Sequence, residues 1–157
     1  MEAKIFSITA TEILDSRGNP TLETTVVLTS GYRGMASVPA GASLGKYEAV
    51  ELRDHDQKRY SGMGVLKAVD MVNSFIGPKL KGMDCSNQGA IDKTMVELDG
   101  TPNKSRLGAN SMLSISLAVA VAQANHLRLP LYRYLNSLTG SGKPYSMTRI
   151  PTPTFNV

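Results

Sequence analysis

Apolar and polar residues along this chain change period twice, and those changes divide it. From Lys4 to Leu14 the residues Phe6, Ile8 and Ala10 fall at every second position, the spacing of one face of a half-buried strand. Asp15-Ser16-Arg17-Gly18-Asn19-Pro20 then breaks the pattern, and Pro20 restricts Asn19 to extended or turn geometry. Thr21 to Leu28 places Leu22, Thr24, Val26 and Leu28 on one face, and Thr29-Ser30-Gly31 reads as a hairpin turn into a third strand, Tyr32 to Val38. Three such strands predict an antiparallel meander.

Beyond Val38 the period becomes helical. Val65, Val69, Val72 and Ile76 share a helix face, with Gly77-Pro78 as the expected stop. A second helix is predicted from near Ser86, with Ile91, Met95 and Leu98 inward and Asp99-Gly100 as its end. Ala109 to Leu127 is apolar or small all round, the mark of a central helix that its neighbours approach closely. Pro130 fits the first turn of a fourth helix carrying Leu131, Tyr134, Leu135 and Leu138 and closed by Gly140. The fold class expected is therefore α+β, a three-stranded antiparallel meander followed by a bundle of about four helices. Residues 1–140 form the domain, and 141–157, broken by Pro144, Pro151 and Pro153, read as a linker and the start of something further.

Composition narrows the functional classes. The chain of 157 residues is 41% hydrophobic and 19% charged, ordinary for a globular protein with a real core. A formal charge of +4 favours acidic partners, but the Lys and Arg residues are scattered and no aromatic stacking platform accompanies them, so no nucleic-acid partner is expected. Cys85 stands alone, which fits a reducing compartment. No apolar run is long enough to span a bilayer, so a cytoplasmic protein with no membrane partner is expected.

Candidate chemistry concentrates in Val38-Pro39-Ala40-Gly41-Ala42-Ser43-Leu44-Gly45-Lys46, where small residues surround one serine that can offer both hydroxyl and carbonyl oxygens. Gly41 to Lys46 is one residue short of a phosphate-binding loop and continues into Tyr47. Ser43-Leu44-Gly45-Lys46 fits the S-x-x-K acylase pattern without its companion elements. Glu48, Glu51, Asp54 and Asp56 read as a solvated face, and His55, His126 and Cys85 lack metal-ligand spacing. Taken singly, these residues name no activity.

Taken in order, several segments resemble the amino-terminal domain of enolases. They are EILDSRGNPTLE (Glu12 to Glu23), VPAGASLGKYEAVELRD (Val38 to Asp54), GVLKAVDMVN (Gly64 to Asn73), LDGTPNKSRLGANSMLSISLAVA (Leu98 to Ala120), PLYRYL (Pro130 to Leu135) and IPTPTFNV (Ile150 to Val157). The resemblance implies a cap on a C-terminal α/β barrel, whose start would lie in 141–157. The barrel would carry the catalytic residues and most ligands of two Mg2+ ions, for interconversion of 2-phosphoglycerate and phosphoenolpyruvate in glycolysis. It implies that Ala40, Gly41, Ala42, Ser43, Leu44 and Gly45 close over that site, with Ser43 a metal ligand, and that Arg17 and Glu23 lie at a homodimer interface. No catalytic residue is expected in this chain itself, which alone is expected to be inactive. Ala40 and Leu44 stand where the family commonly has serine and threonine, Thr11 where many members have arginine, and Ser114 where glycine is common. The change at Ser114 is expected to affect packing, whereas those at Ala40, Leu44 and Thr11 leave an alternative, a free-standing cap-like protein with a binding or regulatory role.

Overall fold

The computed structural model describes residues 3–39, 45 and 47–139. Strands β1 (Ile5–Leu14), β2 (Pro20–Leu28) and β3 (Arg33–Ser37) form one antiparallel sheet in the order β1-β2-β3. The meander is as expected, with β3 one residue shorter at each end. In β2 the alternation holds from Leu22 onward, with Leu22, Thr24, Val26 and Leu28 all buried, while Thr21 before it is buried as well. In β1 it does not. Phe6 is 56% exposed, and Ile5 takes its place in the core. The register shifts between Ile5 and Ser7, so one extra residue reverses the phase and Ile5 and Ile8, three apart, both point inward.

Among the described residues four longer helical stretches follow, of which the first and third lie on the sheet while the second and fourth pack against the third. The first runs through α1 (Leu66–Asp70), a π-helical stretch (Met71–Ile76) and α2 (Gly77–Leu80). Gly77-Pro78 was expected to end this helix, and instead lies inside it. The Gly77 amide bonds to the Val72 carbonyl five residues back, and this widened turn relieves the crowding that a proline ring makes with the preceding turn. Gly77 is required for another reason: a Cβ there would sit 3.2 Å from the Ile8 carbonyl oxygen, so the glycine lets the helix lie directly on β1. From the π-helical stretch Asn73 reaches the same strand. Its Oδ1 accepts from the Ala10 amide at 2.7 Å and its Nδ2 donates to the Ala10 carbonyl at 3.1 Å, so a side chain closes the sheet's edge where another strand would pair.

Helix α3 (Gln88–Asp99) begins where Asn87 Oδ1 accepts from the Ala90 amide and ends at Gly100, whose φ of 68° is the left-handed cap expected there. Ile91 and Met95 are buried as expected, and Leu98 packs partly buried against the same core. Helix α4 (Ala109–His126) is the central element. It lies across β2 and β3, burying Ile115, Ala118, Val119 and Ala122, and at Gly34 the sheet touches its backbone. Helix α5 (Leu131–Leu138) starts one residue later than expected, with Pro130 as its extended N-cap. Only Tyr134 of its apolar stripe is buried, against Ala120 and Ala124, while Leu131, Leu135 and Leu138 stay exposed. The expected terminator Gly140 and residues 141–157 lie outside the described residues.

Candidate functional site

The glycine-rich loop is best approached from its two flanks. On the near side, β3 leads into Val38, whose amide donates to the Leu22 carbonyl at 3.2 Å while the Thr21 hydroxyl donates to the Val38 carbonyl. Ala40, Gly41, Ala42, Ser43 and Leu44 lie outside the described residues. On the far side, Gly45 and Glu48 are tied twice: the Gly45 amide donates to Glu48 Oε2 at 2.8 Å, and the Glu48 amide to the Gly45 carbonyl at 3.1 Å.

The chain then docks on the start of α4. The Val50 amide donates to the Asn103 carbonyl and the Val50 carbonyl accepts from the Ala109 amide, both at 2.8 Å. The Asn110 side chain takes both backbone groups of Leu52, at 2.9 and 3.1 Å. Gly108, with φ of 85°, makes this docking possible, because a Cβ there would lie 2.5 Å from Leu52 Cβ. Next comes Arg53, which is only 9% exposed. Its Nη1 donates to the Pro20 and Met63 carbonyls at 2.7 and 2.8 Å, and its Nε and Nη2 both donate to Glu51 Oε2.

Of the acidic group expected to be a solvated face, Glu48 and Asp56 are exposed, while Glu51 and Asp54 are half-buried against structural partners. Glu51 pairs with Arg53, and Asp56 Oδ1 accepts from the Lys58 amide. Asp54 accepts from the Leu66 and Lys67 amides at 3.0 and 2.8 Å, satisfying the N-terminus of α1 from a distant part of the chain. Beside it Glu12 pairs with the Arg59 guanidinium and accepts from the Val65 amide at 2.9 Å. The hydrogen bond from Arg59 is the main cause holding the Glu12 carboxyl below its usual value; partial burial opposes it and the Val65 amide reinforces it. Asp99, almost fully buried, receives the Thr101 hydroxyl and the amides of Thr101, Arg106 and Leu107. Burial pushes its carboxyl up, but those donors together outweigh burial and the net direction is down. It therefore holds, as an anion, the loop that supplies Asn103 to Val50.

A family model for the N-terminal domain of enolase matches residues 5–135. The chain belongs to the enolase N-terminal domain family. As a member of that family it is a cap domain with a three-stranded sheet and helices and no barrel among its described residues. The enolase family works with Mg2+, yet among the described residues of this cap no group of three or more His, Cys, Asp or Glu side chains could hold a metal ion. Glu12, Glu51, Asp54 and Asp99 already spend carboxylate oxygens on arginines, hydroxyls and amides of the domain, so they do not fit a magnesium shell.

Within the enolase cap, Arg17 sits in the β1–β2 turn, where its amide donates to Asp15 Oδ1 at 2.8 Å and its guanidinium lies 3.4 Å from Asp15 Oδ2. Glu23 lies on β2 opposite Thr11 and accepts from the Ser37 hydroxyl at 2.8 Å. Arg17 thus lies in the turn before Pro20, and Glu23 on the central strand, paired on both sides, just past the strand end that holds the loop's near flank. Ser114 faces inward from α4, and its hydroxyl meets Thr24 Oγ1 at 2.7 Å and donates to the Ser111 carbonyl. The departure from glycine is thus a packing feature, joined to β2 by a buried hydrogen bond. Cys85 is fully buried, and burial, followed by the nearby Asp84 charge, pushes its thiol up to about 12. No helix among the described residues is long and apolar enough to cross a membrane.

Sequence reasoning missed Glu12, Asn73, Arg53 and Asp99. Glu12, Asn73 and Arg53 act on backbone groups remote in the chain and Asp99 on amides of the loop that follows it, and neither periodicity nor spacing carries that signal.

Proposed function

We propose that this chain is the capping domain of an enolase, contributing the Ala40–Gly45 loop to an active site for magnesium-dependent interconversion of 2-phosphoglycerate and phosphoenolpyruvate. The observation that carries the reading, beside the family match, is the anchoring of both loop flanks on Pro20 to Leu22 and the start of α4. A loop fixed at both ends and built from small residues between them can close over a neighbouring surface without disturbing the core. In this reading Ser43 is a magnesium ligand that the cap donates, and a C-terminal barrel supplies the acid–base groups and the carboxylate ligands. Bound magnesium stabilises the charge that develops on the substrate carboxylate. Closure of the cap loop excludes water from that charge and strengthens every interaction around it. Arg17 and Glu23 face a second subunit in a homodimer of the full-length cytoplasmic enzyme.

The purified 157-residue chain is expected to form no phosphoenolpyruvate from 2-phosphoglycerate. In a full-length enzyme carrying this domain, Ser43→Ala is expected to lower both turnover and the apparent affinity for the second magnesium. Unchanged magnesium dependence in that variant would refute the role of Ser43.

A further inference from the structure

We propose that the cleft between α3 and α4 is a binding site for a small amphipathic carboxylate, with Lys104 receiving the acid head and Met95 and Met112 the apolar body. The site is separate from the Ala40–Gly45 loop and from the chemistry proposed for it.

The two helices leave between them a cavity of about 290 Å³. An apolar cavity of about 150 Å³ holds one benzene ring, so this one has room for a larger apolar group such as an eight-carbon chain. Its floor is Met95 and Met112, which are 2% and 5% exposed, and its rim is Val96 and Leu113, both well exposed. Polarity changes along the cleft. At one end Lys104 lines the wall beside Ala109, the first residue of α4. The Lys104 carbonyl accepts from the Gly108 amide at 2.9 Å and the neighbouring Asn103 carbonyl holds Val50. Those bonds fix the backbone beneath the lysine, although its φ of 60° lies in the left-handed region that disfavours a residue with a Cβ. The residue is half-buried, and its ammonium has no hydrogen-bond or carboxylate partner among the described residues. The positive end of the α4 dipole lies at this same end. At the other end, about 10 Å further along α4, stand Ser116 and Asp92. There Gln88 Nε2 donates to both Asp92 carboxylate oxygens, at 3.1 and 3.3 Å, and to the Ser116 carbonyl at 3.1 Å. The acid is therefore engaged and the lysine is not. Such a cleft selects a ligand whose head is negative and whose remainder is apolar, lying from Lys104 along the two methionines.

Octanoate and octylammonium are the probes, titrated into the 157-residue chain with isotope-labelled methionine methyls and followed by nuclear magnetic resonance. Met35, 58% exposed on β3, is the internal reference. Octanoate is expected to shift the Met95 and Met112 methyl signals saturably, with a Kd of about 1 mM or below, while Met35 stays unchanged. Octylammonium, the same chain with the opposite charge, is expected to bind about fivefold more weakly, the upper end of what one partly exposed ion pair supplies. Lys104→Gln is expected to bring the two probes within about twofold of each other. Ala109→Leu, which fills the cavity from α4, is expected to remove the response to both. The contrast between the two probes needs no variant, so a substitution that fails to fold leaves the test standing. No saturable shift, equal affinity for the two probes or a preference for octylammonium overturns the proposal, as does an unchanged octanoate preference in Lys104→Gln. Shifts at Met95 and Met112 that follow protein concentration alone would assign the cleft to a second copy of the chain and overturn it as well.

Discussion

Gly34 is the point at which the sheet and the central helix meet backbone to backbone, and adding one methyl group there tests the whole packing arrangement. A Cβ on Gly34 would lie 2.2 Å from the Ala122 amide nitrogen and 2.3 Å from the Ala118 carbonyl oxygen. Ordinary contact begins near 3.4 Å, so the two backbones must part by about 1.2 Å, the difference between 3.4 and 2.2 Å. Neither obstructing atom is the end of a flexible side chain, so the strain falls on α4 and β3 together, and on the Thr24–Ser114 hydrogen bond beside them. Overpacking of this kind costs about 3 kcal/mol, the upper part of the usual range. For a chain of this size that corresponds to a melting temperature lower by roughly 6–12 °C. Gly89→Ala is the control, because nothing lies within 4 Å of a Cβ at that helical position, and a gain of about 0.5 kcal/mol is expected. Chemical denaturation of both variants, read by far-ultraviolet circular dichroism, gives the two values. If Gly34→Ala unfolds within about 0.5 kcal/mol of the parent, the close approach of β3 to α4 is not a determinant of stability and the packing argument fails.

Two further outcomes follow from the buried groups. Because the folded-state value of Glu12 is depressed, its contribution is present above the ordinary carboxyl value of 4.5 and is lost as pH falls through the folded value. Glu12→Gln should therefore melt lower than the parent near neutral pH, with the gap closing as pH drops below 4.5; a gap that is independent of pH contradicts the Arg59 pairing as its source. Cys85, fully buried with its thiol pushed up to about 12, should resist alkylation in the folded protein at mildly alkaline pH and react once denaturant is added. Rapid native labelling, followed by mass spectrometry, would show that the α4 side of the core opens far more readily than its packing implies.

Much of the architecture could be read from the residues because it depends on local order. The alternation in Leu22 to Leu28 selects one sheet face, and Gly31 and Gly100 adopt the positive φ that their turn and cap positions require. The small-residue helix from Ala109 occupies the centre because only such a surface lets a strand approach as Gly34 does. The series of segments from Glu12 to Val157 also pointed to the family, through motifs longer than any single glycine pattern.

What the tertiary structure alone decided depends on contacts between residues far apart in the chain. The bulge after Ile5 reverses the inward face of β1 and puts Phe6 outside, a choice made by pairing with β2 that the composition of β1 does not encode. Gly77 and Pro78 would end a free helix, but pressed against Ile8 the glycine provides clearance and the widened turn admits the proline. Arg53 and Asp54 look like surface charges in sequence, yet Arg53 satisfies the buried Pro20 carbonyl and Asp54 the first amides of α1. A chain can advertise its strands and helices through the order of neighbouring side chains. Which charges are needed to join its distant segments emerges only when the backbone groups they must satisfy have been brought together.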